Sequence, residues 1–279
     1  MLFTNGCSFV WGDELPGFNT NPPTHQHHRF SDKLAKSLDI DLMNYASCGG
    51  SNHKIFRDTL NFLSSEHADD CTHMVIVWSA WEREEIVNDV SPEDEHLYHV
   101  PRYNSITQLS PTRINSIGFA KNRTKDALHL YYDEMNLMFR TAITHQMSYM
   151  IAIHQICEAR GIKLVMTQFH RNQWRQLLNA ILDCNRPEVQ WRQLLNAILD
   201  CNRPEVRSLQ DWQHMIKKMM YSLPKKSRLG FASGKSFSQV CTEVVDKDNK
   251  CVGFMSGHHP SAEAHTAFAK YIEQKFQEE

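Results

Sequence analysis

The chain has 279 residues, of which 41% are hydrophobic and 22% charged, with a formal charge of −2. That is enough length for one large α/β domain with its own core. The pI near 6.8 gives no basic excess to argue for a nucleic-acid groove, and the mean hydropathy of −0.50 points to long solvated loops. Residues 2–4 form a short apolar start that runs into Asn5-Gly6, which reads as a buried strand and a turn. Residues 16–23 are loop. A helix is predicted over 27–38 from Phe30, Leu34 and Leu38, a second strand over 40–45, and a second helix over 51–64. The run MVIVW within 72–79 reads as a strand buried on both faces. Residues 88–125 carry Pro92, Pro101 and Pro111 and little periodicity, and read as a long surface excursion or lid. A long helix is predicted over 126–160, its methionines serving as core packing and Gly161 as its stop. A fourth strand follows over 162–168, a helix over 208–222, a short last strand within 228–253, and a closing helix over 261–277 capped by Ser261.

The segment QWRQLLNAILDCNRPEV occurs twice without a substitution, at 173–189 and 190–206. Ordinary structural repeats drift and come in larger numbers. The pattern predicts two short peripheral helices, because a packed core would not accept seventeen added residues. The eight cysteines contain no CxxC pair, and they are expected to be free thiols. The first residues, MLFTNGCSF, lack a basic n-region and a long apolar h-region, and no apolar run has membrane-spanning length. The expected location is cytoplasm or a particle assembled there. His25, His27 and His28 lack further ligands at metal-binding spacing and read as a solvated loop, and His265 is expected to pack or to bind a backbone carbonyl.

Strand–helix alternation predicts a parallel sheet covered on both faces, with its site at the carboxyl ends of the strands. Four blocks fall there or before the last helix: GCSFVWGDE at 6–14, NYASCGGSN at 44–52, WSAWERE at 78–84 and GHHPSAEAH at 257–265. A serine hydroxyl becomes a nucleophile only beside a base, and Ser8 lies in a turn after a strand, where the backbone fixes it.

In this order the blocks resemble the SGNH/GDSL hydrolase family, with a tryptophan-bearing third block similar to phage-like members. The resemblance covers the chain ends and the first eighty-odd residues. It implies a three-layer α/β/α sandwich with a parallel, flavodoxin-like sheet over a single domain, 1–279. It also implies Ser8 as nucleophile and His259, followed by Pro260, as base. Gly49 and the Ser8 N–H are the implied oxyanion donors. Ser79 stands where the family has an oxyanion asparagine and is the implied donor in its place, and Ser256 stands where the family has the aspartate of its triad. The pattern therefore implies a Ser-His dyad, with Ser256 or a backbone carbonyl orienting His259.

The resemblance further implies hydrolysis of an O-acyl ester on a carbohydrate or small metabolite. No metal or organic cofactor, nucleic acid or membrane partner is implied. For a phage member the location becomes host cytoplasm or virion. An inactive fold relative acting as a binding or virion-associated protein, and an acyltransferase using the same acyl-enzyme, remain the alternatives.

Overall fold

The computed structural model describes residues 1–19, 24–79, 84–87, 106–109, 138–169, 205–229, 233–256 and 259–278. Its centre is β1 (Leu2–Asn5), which pairs in parallel with β2 (Leu42–Asn44) on one side and β3 (His73–Trp78) on the other. Two four-residue strands, β4 (Glu84–Val87) and β5 (Ile106–Leu109), pair antiparallel as a separate ribbon. The parallel sheet is completed by β6 (Lys163–Gln168) beside β3, giving the order β2-β1-β3-β6.

The period of two along a strand divides the core cleanly. Met74, Ile76 and Trp78 of β3 enter one apolar cluster with Phe3, Ile55, Phe62, Met147, Met150 and Ile153. Val75 and Val77, the alternate residues, enter the other with Leu2, Val10, Phe30, Val165, Phe237 and Phe268. Seven helices flank the sheet among the described residues: α1 (Ser8–Trp11), α2 (Phe30–Leu38), α3 (Asn52–Leu63), α4 (Met138–Ala159), α5 (Glu205–Ser222), α6 (Phe237–Thr242) and α7 (Ala262–Gln277). Residues of α3, α4 and α5 line the first cluster, and those of α1, α2, α6 and α7 line the second. The fold is a three-layer α/β/α sandwich. The chain reverses its direction of travel across the sheet at β1, so the crevice beyond the carboxyl ends of β1 and β3 is the expected ligand position for this topology.

Most predicted elements appear with ends shifted by a few residues. Met147 and Met150 are buried core, and Gly161 takes a φ of 67° after α4. Ser261 caps α7 by accepting from Ala264 N–H at 3.2 Å. The six described cysteines, Cys7, Cys48, Cys71, Cys157, Cys241 and Cys251, are free thiols. Burial pushes Cys157 and Cys241 up to about 12, so both are packing groups rather than nucleophiles.

The region 228–253 differs from its prediction. Among its described residues it holds single bridges rather than a strand, including Thr167 to Leu229 and Val245 to Cys251, together with α6. A capping box starts α6: Ser236 Oγ accepts from Gln239 N–H, and Gln239 Oε1 accepts from Ser236 N–H. The excursion also contains structure the sequence reading missed, since β5 lies inside it and pairs with β4 just before it. The rest of 88–125, residues 126–137, and the repeat up to residue 204 lie outside the described residues, as do Cys184 and Cys201. No helix among the described residues is long and apolar enough to cross a membrane.

Candidate active site

The site begins where β1 ends. Asn5 is buried, and its Oδ1 accepts from Gly6 N–H at 2.8 Å while its Nδ2 donates to Ile55 O and Thr59 Oγ1 of α3. This fixes the exit of the strand. Gly6 is required by close packing, because a Cβ there would lie 2.4 Å from Val10 Cγ2. The chain then turns at once into α1. Cys7 O accepts from Val10 and Trp11 N–H, and Ser8 O accepts from Gly12 and Asp13 N–H at 2.9 and 3.0 Å. Gly12 closes this turn at a φ of 86°, a left-handed conformation that glycine adopts without steric cost. Ser8 is thereby held by backbone at the start of a single helical turn.

His259 reaches Ser8 from the other end of the chain. Its backbone is fixed by Met255 N–H donating to His259 O at 2.7 Å and by the neighbouring Phe254–Pro260 bridge. Its ring lies 5.0 Å from that of Phe9, which also packs on Phe169. Nε2 of His259 is 3.2 Å from Ser8 Oγ, a hydrogen bond across 251 positions of sequence. Ser8 is 5% exposed, and the His259 side chain is 20% exposed. The pair is shielded yet open at the imidazole, which suits proton transfer.

Two carboxylates flank the ring. Asp13 Oδ2 lies 3.5 Å from Nε2, and Glu14 Oε1 lies 3.4 Å from Nδ1. Ser256 is exposed, and Nδ1 makes no hydrogen bond to it or to a backbone carbonyl among the described residues; the two acids beside the ring come from the turn that carries the nucleophile. Their place beside the ring had no sequence signal, because no spacing rule links residues 13 and 14 to residue 259.

The second block is laced to the first. Tyr45 N–H donates to Thr4 O, and Ser47 N–H donates to Gly6 O at 3.2 Å. Gly50 packs so closely that a Cβ on it would lie 3.2 Å from Gly6 O and 3.6 Å from Cys7 Cα. Gly49, the predicted oxyanion donor, is buried in this turn at a φ of 76°. Ser51 caps α3 by accepting from Lys54 N–H.

Ser79 is fully buried in a cluster of side-chain amides. Its N–H donates to Asn52 Oδ1 at 2.8 Å, and its carbonyl accepts from Asn52 Nδ2 and Gln168 Nε2. Gln146 joins Asn52 to Gln168. The Ser79 hydroxyl has no hydrogen-bond partner among the described residues. Asn52, Gln146 and Gln168 were not singled out from sequence, although Asn52 lies in the second block. Trp78 is core, as expected, while Trp81 and Arg83 fall outside the described residues.

One histidine expectation is corrected and another is met in part, since His265 packs in the core on Phe30 and Phe237. His25 is not solvated: it is buried against Trp11 and Phe18, its Nε2 is 3.2 Å from Trp11 O, and burial, assisted by Arg29, lowers its pKa. His265 binds a backbone N–H rather than a carbonyl, its Nδ1 accepting from Phe30 N–H at 3.0 Å. No group of three or more His, Cys, Asp or Glu residues placed to hold a metal ion occurs among the described residues.

A family model described as a family of unknown function, DUF6071, matches residues 13–138. No curated protein matches the chain. Similar solved structures include TesA, at 9% identity and a TM-score of 0.43, covering 99% of this chain and 97% of that one. A member of the lipolytic protein G-D-S-L family from Veillonella parvula DSM 2008 has 10% identity and a TM-score of 0.42, covering 100% and 98%. The esterase EstA from Pseudoalteromonas sp. has 9% identity and a TM-score of 0.41, covering 98% and 96%. Likenesses this distant carry no argument about chemistry, which rests on the residues themselves.

Proposed function

We propose that the chain is a serine esterase acting on an O-acyl group of a carbohydrate or small metabolite. The observation that supports this reading is the 3.2 Å contact between Ser8 Oγ and His259 Nε2 at the carboxyl end of β1. In the proposed cycle Ser8 Oγ attacks the acyl carbonyl while its proton passes to Nε2. The tetrahedral intermediate collapses as Nε2–H protonates the leaving alkoxide, which departs as an alcohol. The acyl group remains on Ser8. Water then attacks this ester, His259 takes its proton and returns it to Ser8 Oγ, and the carboxylic acid leaves.

The N–H groups of Ser8 and Gly49 are the proposed oxyanion donors, each contributing roughly 3 kcal/mol to the transition state. The buried position of Ser79 favours two donors over three, and it also gives the second reading, a weakly active or inactive binding protein, its one specific support. A panel of p-nitrophenyl acyl esters and O-acetylated sugars separates the two. The proposed esterase hydrolyses at least one of them at a rate that Ser8→Ala reduces to background. A folded protein that turns over none of them is the binding protein of the second reading.

A further inference from the structure

We infer that Glu14 is the carboxylate that positions His259, so that nucleophile and orienting acid both come from the single turn between Ser8 and Leu15. The inference rests on the esterase reading above and adds a third member to its site. Its basis is the division of the imidazole. Nε2 faces Ser8 Oγ at 3.2 Å, and Nδ1, on the opposite side of the ring, has Glu14 Oε1 at 3.4 Å. For Nε2 to accept the serine proton, the neutral ring must carry its own proton on Nδ1. That nitrogen is buried and makes no aligned hydrogen bond among the described residues. A buried ring N–H without a partner is costly, and a modest rotation of the Glu14 carboxylate supplies one. When Nε2 is protonated, the same carboxylate faces the imidazolium charge.

Asp13 does not take this role. Its Oδ2 lies 3.5 Å from Nε2, the nitrogen that Ser8 uses, so a hydrogen bond from Nε2–H to Asp13 selects the wrong tautomer. The backbone supplies an independent sign that Glu14 is held for a purpose. It has a φ of 65°, left-handed and uncommon for a glutamate, in the tight reversal that follows Gly12. Strain of this kind persists where the surrounding structure enforces it and concentrates at functional sites. Leu15, buried immediately after, anchors the reversal.

The test uses 15N-histidine-labelled protein and the rate at which a fluorophosphonate modifies Ser8. In the wild type, His259 is expected to be the Nδ1–H tautomer with an exchange-protected ring proton. Glu14→Gln should lose that signature and slow modification of Ser8 at least tenfold, with Glu14→Asp recovering part of the rate. Asp13→Asn should retain the Nδ1–H tautomer, whatever its effect on rate. Glu14→Gly removes the carboxylate while relieving the left-handed backbone. It should melt no lower than the wild type and react as slowly as Glu14→Gln, which keeps the test open if Glu14→Gln does not fold. An unchanged tautomer and rate in folded Glu14 variants, or loss of the Nδ1–H tautomer only in Asp13→Asn, overturns the inference. If wild-type Ser8 is not modified at all, the esterase reading fails, while the tautomer comparison still decides the role of Glu14.

Discussion

His259→Ala is expected to lower kcat for ester hydrolysis by about 10^4-fold, and adding it to Ser8→Ala is expected to cost almost nothing more. A nucleophile and its base act as one unit, so their losses do not multiply. The geometry makes them such a unit: Nε2 is placed on Ser8 Oγ, and the ring is packed on Phe9 rather than free to swing. Measuring kcat for the two single variants and the double variant on one activated ester gives the answer. Strictly multiplicative losses mean that Ser8 and His259 contribute separately. The residual rate of the double variant reports what the backbone donors near Ser8 and Gly49 supply alone.

Acid is expected to destabilise the fold through His265. Its side chain, carried by α7, is fully buried, stacks on Phe30 and meets Phe237 edge-on. Nδ1 accepts the N–H of Phe30, the first residue of α2, a helix whose N-cap residue, Arg29, provides no side-chain cap. A distant histidine therefore satisfies one of the orphan donors at that helix end. Protonation of Nδ1 removes the acceptor and places a charge in an apolar site with Lys33 and Arg29 nearby. Burial first, then those two cations, pushes the pKa down to about 3 from 6.5.

Between these values the unfolded chain binds a proton that the folded chain does not. The contribution is complete above about pH 6.5 and is lost as the pH falls towards 3, by up to about 1.4 kcal/mol per pH unit. His265→Asn keeps an acceptor oxygen near the Nδ1 position and cannot titrate. Urea unfolding from pH 7.5 to 4.5 should therefore show the wild type losing about 3 kcal/mol relative to this variant. Both proteins share the contribution of His25, whose lowered pKa acts in the same direction. Parallel stability curves would remove His265 from the account.

The layered fold was legible because its signals are local. The unbroken apolar run of β3, the helical stripes of α3 and α7, and the Ser261 cap each depend on a few neighbouring residues. Ser8 and His259 were legible for a related reason, since each sits in a short block beside a strand end or helix start. What escaped depends on packing between distant segments. Nothing in Asp13 or Glu14 announces that a loop some 245 residues later will lay an imidazole across them. The role of His265 exists only once α7 meets the start of α2. Ser79 has a plausible residue type at a plausible position, yet it is fully buried with its backbone held by Asn52 and Gln168, which Gln146 bridges. The capping box of α6 at Ser236 and Gln239 is local too, an S-x-x-Q pattern four residues long. The strands β4 and β5 were harder, with four residues each and a long proline-bearing stretch between them.

Mass spectrometry of the intact protein after treatment with a fluorophosphonate, followed by peptide mapping, addresses the nucleophile without requiring the natural substrate. One adduct is expected, on the peptide carrying Ser8, absent in folded Ser8→Ala and slowed by His259→Ala. A folded wild-type protein that stays unmodified, or that carries its adduct on a different residue, contradicts the assignment of Ser8.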